Sequence, residues 1–279
     1  MKKLITLTFA LVLTAGVALG QNTSSTSQMG NDNEVTIDQT YSPGVSTDVN
    51  TATVTQDGDQ NTVVNLAQVG AGNDYQVTQL GTKNRIESHP QQGTNGNPSY
   101  DGYISIMQDG AMNKIWDADQ AGSNNWLEVK QVGQNNTANI EAQVSSNGGA
   151  GNSIAIRQDG ISNAVGANSS NGPGAYQEGE NNSMNITQSG GASAGTVDAN
   201  LVNNNPNQTF FRGSIEGGQG LIQYGEDNAL TINQDGASTV SYVVQEGYLN
   251  TATISQTGIG HTASAMQVGT GNTATITQY

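Results

Sequence analysis

Side chains capable of catalysis are few in this sequence and lie far apart. There are two histidines, His89 and His261, and no cysteine. The nucleophile, phosphate-loop and metal-ligand motifs that identify many enzymes are missing. His89 precedes a proline in a polar stretch, and His261 takes the place of asparagine in a repeated pattern. The sequence therefore predicts that the protein is not an enzyme and has no catalytic site, no metal site and no cofactor.

Carboxylates are the second group with possible chemistry. Four aspartates occur in Gln-Asp-Gly triplets, namely Asp57, Asp109, Asp159 and Asp235. Carboxylates bind calcium, but the nonapeptide pattern of calcium-binding β-rolls is missing. We therefore interpret these residues as charges that keep the chain soluble and slow its aggregation. The formal net charge of −15 argues against nucleic acid or an anionic membrane as partner.

The abundant polar groups are amides, and they recur at fixed spacing. Most neighbouring copies of Gln-x-Gly are 11 or 12 residues apart, so two copies make a unit of 22 or 23 residues. Asn follows five residues after most of these glutamines, the exceptions being Ser193, Thr239 and His261. The copies begin at Gln28, Gln56, Gln68, Gln79, Gln108, Gln120, Gln131, Gln158, Gln177, Gln188, Gln223, Gln234, Gln245, Gln256 and Gln267.

Each unit is predicted to be strand, tight turn, strand, tight turn. Alternate side chains of a strand share a face, so Asn250, Ala252, Ile254 and Gln256 point one way. Within the well-formed Asn-x5-Gln segments the charged residues fall on the other face: Glu34, Asp38, Asp74, Glu128, Lys130 and Arg157. The amide face is therefore inward. The pattern predicts an all-β protein, a β-solenoid of two-strand coils with loop insertions.

Stacked coils would align identical residues one above another in parallel ladders. A buried amide is then satisfied by its own copy on the next rung. The predicted inward ladder residues are Asn228, Gln234, Gln245, Asn250, Gln256, His261, Gln267, Asn272 and Gln278. The predicted core rungs are Ile232, Ile254 and Ile276, and the predicted turn glycines are Gly236, Gly247, Gly258 and Gly269.

The first twenty residues have the pattern of a secretory signal peptide. Lys2 and Lys3 precede an apolar stretch, and Ala18-Leu19-Gly20 forms a small-x-small cleavage site. No other segment could cross a bilayer as a helix. Only 34% of residues are hydrophobic and 11% are charged. This composition predicts a secreted chain with a thin core and no membrane span after cleavage.

The repeats divide the chain into regular and irregular segments. Extra residues predict bulges in Asn61–Gln68, Asn113–Gln120 and Asn136–Gln143. We predict a signal peptide at 1–20, an N-terminal segment with a weak first repeat at 21–49, repeats at 50–81, a loop insertion at 82–107, repeats with Gly/Asn-rich loops at 108–188, a second loop insertion at 189–222 and regular repeats at 223–279.

Residues 228–279 and much of 50–188 resemble the curlin repeat of curli fibre subunits. The shared pattern is Ser/Asn-x5-Gln-x-Gly-x-x-Asn-x5-Gln. The resemblance implies a functional amyloid that leaves through an outer-membrane secretion pore and polymerises at the cell surface from a nucleator subunit, for adhesion and biofilm matrix. It also implies that the inward ladder residues matter for polymerisation. An uncharged last strand, Asn272–Gln278, agrees with this, because an unprotected strand edge can template a further chain.

Two other functions fit part of the pattern. A β-solenoid stalk could belong to a surface adhesin that does not polymerise. Outward threonines such as Thr231, Thr253 and Thr275 resemble the faces of ice-binding solenoids, but Trp126 and Arg157 interrupt the rows. Trp116 and Trp126 could also touch carbohydrate, although packing against a neighbouring row is the favoured interpretation.

Overall fold

The computed structural model describes residues 22–41, 49–87, 91–93, 98–146, 148–166, 174–191, 201–202, 221–237 and 239–279. Throughout these ranges the chain forms strands and turns, and the all-β prediction is confirmed. No helix in the described ranges is long and apolar enough to cross a membrane. The predicted signal peptide, residues 1–20, lies outside the described residues.

The strands alternate between two long sheets. Their bounds are β1 Thr23–Met29, β2 Glu34–Tyr41, β3 Thr51–Asp59, β4 Thr62–Ala71, β5 Asp74–Thr82, β6 Arg85–Ile86, β7 Gln91–Gln92, β8 Ser99–Tyr100, β9 Tyr103–Ala111, β10 Lys114–Ser123, β11 Trp126–Gln134, β12 Thr137–Val144, β13 Ser153–Ile161, β14 Ala164–Val165, β15 Ala175–Glu180, β16 Ser183–Gly191, β17 Leu201–Val202, β18 Leu221–Glu226, β19 Ala229–Ala237, β20 Val240–Tyr248, β21 Thr251–Ile259, β22 Thr262–Thr270 and β23 Thr273–Gln278.

Sheet I contains ten strands in the order β1-β3-β5-β9-β11-β13-β16-β19-β21-β23. Sheet II contains the other thirteen, which make nine rungs, because β6, β7 and β8 share one rung, β14 and β15 a second, and β17 and β18 a third. Neighbouring strands within each sheet pair in parallel. A sheet I strand and the following sheet II rung therefore form one coil, as the 22–23-residue repeat predicts.

The core is a single apolar layer between the sheets. Leu127, Val129, Ile154 and Ile156 on sheet I are at most 2% exposed, and one cluster of buried side chains runs along the stack. Full burial of each such side chain contributes about 1.5–3 kcal/mol. Because each rung inserts only two of them, one coil alone cannot offset its chain entropy, and stability comes from stacking.

Sheet II corrects the predicted insertion at 82–107. Arg85–Ile86, Gln91–Gln92 and Ser99–Tyr100 form a rung between β4 and β10, and β9 begins within the same range. The sequence hid this rung because its pieces are only two residues long. Each piece is held by full-length strands on both sides, which local composition does not reveal.

The second predicted insertion, 189–222, also contains parts of the sheets. The end of β16, the two residues of β17 and the start of β18 lie in it. The three predicted bulges occur where expected, as register shifts in β4, β10 and β12. Sheet I, in contrast, runs without a register shift from β1 to β23.

We expect Gly160→Ala to destabilise the protein strongly. Gly160 has φ 123°, and a Cβ there would lie 2.0 Å from the carbonyl oxygen of Gly190 on the next rung. Strain and clash together should lower the free energy of unfolding by about 3 kcal/mol or more. Chemical denaturation followed by circular dichroism measures the change.

Gly271→Ala is the matched control. Gly271 also has a positive φ, 69°, but nothing lies within 4 Å of its added Cβ. It should lose only the strain of the left-handed conformation, about 1–2 kcal/mol. Equal losses for the two variants would contradict the close approach of stacked turns.

Candidate polymerisation interface

Glutamines form an unbroken hydrogen-bonded ladder through each sheet. Each Nε2 donates to Oε1 of the glutamine on the next rung, over 2.7–3.0 Å in sheet I and 2.6–3.2 Å in sheet II. The sheet I ladder is Gln28, Gln56, Gln79, Gln108, Gln131, Gln158, Gln188, Gln234, Gln256 and Gln278. The sheet II ladder is Gln39, Gln68, Gln92, Gln120, Gln143, Gln177, Gln223, Gln245 and Gln267.

The ladder glutamines that follow Gln28 also bond to the opposite sheet. Gln158 Nε2 donates to the Thr137 carbonyl oxygen at 2.8 Å, and Gln131 Nε2 donates to that of Lys114 at 3.1 Å. One Nε2 hydrogen thus bonds to the next glutamine along the stack, and the other bonds to a carbonyl oxygen of the opposite sheet. Burial of a polar group is tolerated when its hydrogen bonds are made. The amides therefore both fix the register and join the two sheets.

Asparagines at the turns form shorter columns in which the direction of donation is reversed. Each asparagine donates to the one that precedes it in the chain, whereas each ladder glutamine donates to the one that follows it. Asn250 donates both its backbone N and its Nδ2 to Oδ1 of Asn228, at 3.1 and 3.0 Å. Asn272 makes the same pair of bonds to Asn250, at 3.1 and 2.9 Å. Asn250 Nδ2 also donates to the Gly269 carbonyl oxygen at 2.9 Å. Each asparagine thereby holds a turn to the turns above and below it.

The predicted core isoleucines face the interior of the stack, and each predicted turn glycine lies one residue before the end of a strand, in β19, β20, β21 and β22. Ile232 and Ile254 are buried, and Ile276 is half-buried at the end of the stack. A Cβ added at Gly236 or Gly247 would clash with the carbonyl oxygen of Gly258 or Gly269 on the next coil. His261 lies beside Thr239 in the asparagine column of sheet II, with its Nε2 over Gly258. Its contribution to polymerisation stays a prediction.

Sequence reasoning missed two members of the interior. Gln92 belongs to the sheet II ladder, although it lies in the predicted loop insertion at 82–107. The need for one glutamine between Gln68 and Gln120 was the signal that could have found it. Ser241 is the second: its Oγ accepts from Gln234 Nε2 at 3.1 Å and donates to Gln256 Oε1 at 2.8 Å.

The two ends of the described coil are chemically complementary. At one end, Gln278 donates to the Thr262 carbonyl oxygen and Gln267 to that of Thr251, and neither donates to a further described glutamine. At the other end, Gln28 and Gln39 donate inward, and no earlier described glutamine donates to their Oε1 atoms. One end therefore presents amide donors and the other amide acceptors, at matching positions in each sheet.

The Gln-Asp-Gly aspartates stand in one outward row of sheet I, but at alternate rungs. Leu80 lies between Asp57 and Asp109, and Val132 separates Asp109 from Asp159. Two rungs of a sheet span roughly 9.6 Å. Carboxylates that share one calcium ion must each approach it to about 2.3–2.6 Å. The row geometry is therefore unfavourable for the calcium alternative.

Both tryptophans pack against neighbours on the outer faces. Trp126 stacks on Tyr103 of the adjacent rung, with ring centroids 6.3 Å apart and planes 13° apart. Lys114 Nζ lies 3.3 Å from the centroid of the Trp116 ring. The outward threonines align only locally: Thr231, Thr253 and Thr275 form a row that ends at Asn185 and Ala155. No long flat threonine array exists in the described part of sheet I.

The comparisons with known proteins agree with this geometry at the C-terminal end. The family model described as the curlin associated repeat matches residues 225–258 and 250–279. These ranges contain the strands from β19 to β23. A search of the curated proteins finds no match.

We expect Gln158→Leu to destabilise the protein although it makes the core more apolar. The substitution removes the bonds of Gln158 to Gln131, Gln188 and the Thr137 carbonyl, and leaves these buried groups unsatisfied. Each such group costs about 1–3 kcal/mol. The free energy of unfolding should fall by about 2–4 kcal/mol in chemical denaturation.

Gln134→Leu provides the control, since Gln134 is an exposed glutamine at the end of β11, the neighbour of the Gln158 strand in sheet I. It should change stability by no more than about 0.5 kcal/mol. Comparable effects of the two substitutions would contradict the ladder as a source of stability.

Proposed function

Because residues 225–279 match curlin associated repeats, we propose that the chain is a secreted structural protein that self-assembles into extracellular amyloid fibres of the curli type. The fibres would serve cell adhesion and the biofilm matrix. The repeat family consists of structural fibre subunits, so the proposal assigns no catalytic activity to the chain.

The observation that carries the proposal is the complementarity of the two ends. Among the described residues, the ladders of Gln267 and Gln278 finish with unused donors, and those of Gln28 and Gln39 begin with unused acceptors. A second copy in the same orientation can continue the parallel stack from β23 without a change of register. Because the interface differs on its two sides and does not close, it generates a filament rather than a ring or dimer.

The strand edges support the same conclusion. Soluble proteins protect an exposed edge with charges, proline, a bulge or a covering element. β23 contains no charged residue and no proline, and its inward Ala274 and Ile276 are only half-buried. Pairing with another strand would complete their burial and bond the free backbone groups. The parallel, in-register order inside the chain would then continue as cross-β order along a fibre.

The route to the cell surface is part of the proposal. The basic and apolar pattern of residues 1–20 supports export by a signal peptide. The family resemblance adds an outer-membrane secretion pore and a nucleator subunit with similar repeats as partners. A gene for such a pore beside the gene for this chain would support that route.

The proposal is tested by incubation of purified residues 21–279. We expect fibres that bind thioflavin T, with a lag that preformed seeds shorten. Gln278→Ala should slow seeded growth by about two- to tenfold, the effect of one lost hydrogen bond. Thr277→Ala, an outward substitution on the same strand, should grow like the wild type.

A chain that stays monomeric at high concentration and with seeds would contradict the fibre and favour the non-polymerising adhesin. Fibres whose growth is unaffected by Gln278→Ala would retain the amyloid but refute the assigned edge.

A further inference from the structure

The described part of the stack contains an odd number of rungs, where a rung is one strand or a set of short strands that share one level of a sheet. Along the stack the rungs alternate between the sheets, since Gln39 of sheet II bonds to the carbonyl oxygens of Thr23 in β1 and of Asn50, the residue before β3. Sheet I has ten rungs and sheet II has nine, so the first rung, β1, and the last, β23, both belong to sheet I.

Because both terminal rungs belong to sheet I, two copies stacked end to end would break the alternation of the sheets at their junction. If β23 of one copy paired with β1 of the next, two sheet I rungs would follow each other along the stack. Sheet II would then lack a rung between β22 of one copy and β2 of the next. The vacancy would be one strand high, roughly 4.8 Å. The apolar residues of β22 and β2 would face it, and the sheet II glutamine ladder would be interrupted.

β1 contributes polar side chains where its partner strand β3 contributes apolar ones. Its inward residues are Ser24 and Thr26, which pair with Ala52 and Val54 of β3. Ser24 is exposed, and Thr26 is half-buried. At the same two positions β23 carries Ala274 and Ile276. β23 therefore offers β3 a better apolar match than β1 does.

We propose that copies of this chain join by strand replacement: β23 of one copy displaces β1 of the next and pairs directly with β3. This inference rests on the proposed self-assembly. The new rung places Asn272 on Asn50, Ala274 on Ala52, Ile276 on Val54 and Gln278 on Gln56, which are the positions that β1 now fills.

Replacement also repairs sheet II. With β1 removed, β22 of one copy lies next to β2 of the following copy. Ala263 and Ala265 then stack on Val35 and Ile37, and Gln267 Nε2 reaches Gln39 Oε1. Val35, Ile37, Ala265 and Ile276 are the apolar residues that pack against the core but are only partly buried in the single chain. One event completes the burial of all four.

Cysteine cross-linking distinguishes the two junctions, because the chain has no cysteine of its own. Thr53, Ser25 and Thr275 are exposed on the outer face of sheet I, and they occupy equivalent positions along their strands. Strand replacement puts Thr275 next to Thr53, whereas simple stacking puts it next to Ser25. Neighbouring rungs lie within the Cα–Cα range of a disulfide, about 4.4–6.8 Å, and second neighbours lie outside it.

Equimolar T275C and T53C are assembled into fibres from residues 21–279, oxidised mildly and analysed without reducing agent. The matched mixture contains T275C and S25C. We expect disulfide dimers from the first mixture and not from the second. The reverse result, or fibres without dimers in either mixture, overturns strand replacement but leaves fibre formation intact. Failure of every mixture to bind thioflavin T overturns both proposals.

Seeded growth rates give a second test, because strand replacement and simple stacking predict opposite changes in rate. The S24A/T26I variant gives β1 the inward residues of a good core strand, so displacement becomes harder and growth should slow several-fold. Simple stacking predicts faster growth, because Ile276 would then meet an isoleucine. Thr26→Ser, which leaves β1 polar, is the control and should grow at least as fast as the wild type. Accelerated growth of S24A/T26I overturns the proposal.

Discussion

A buried primary amide that must bond to an identical amide one rung away is the constraint on which this structure depends. Aliphatic positions of the core accept Ala, Val, Leu, Ile or Met, and the rung of Met184 is followed by that of Leu230. The glutamine positions admit no such exchange, and both ladders are continuous over all nineteen rungs. A shift of one residue would expose the amides and bury the outward charges. Polar side chains thus specify the register that the apolar side chains stabilise.

Much of this architecture could be predicted from the sequence, because a repeated pattern reports long-range pairing directly. Spacing alone predicts the ladder from Asn228 through Asn250 to Asn272 and the bulge within Asn61–Gln68. It does not predict the rung that contains Gln92, since the two-residue pieces of that rung are ordered by β4 and β10 rather than by their own composition. Nor could spacing reveal the link that Ser241 makes between the sheets, which depends on the distance across the core.

The two sheets differ in how well they accommodate inserted residues. Sheet I is continuous, and its turns fit so closely that glycine is required where Gly133 faces Gly160. Within the described residues, bulges and split rungs are confined to sheet II, where the split rung of β6, β7 and β8 lies between the complete strands β4 and β10. Additional residues can therefore enter the solenoid on one side without disturbing the other. A protein of this kind can diversify one surface while its assembly geometry stays constant.

Acidic residues at alternate rungs also bear on how a chain of near-identical coils folds in the correct order. Any strand with the shared Gln, Gly and Asn pattern could pair with the wrong copy, for instance by omitting one coil. Omission of the β5 coil would place Asp57 beside Asp109 instead of Leu80, about 4.8 Å apart. Two like charges at such a distance repel by about 1–4 kcal/mol near a protein surface. The alternation of charged and uncharged rungs therefore disfavours the pairing of strands that are one coil out of order. The hydrogen bonds of the repeated Gln, Gly and Asn residues would not by themselves distinguish such a pairing from the correct one.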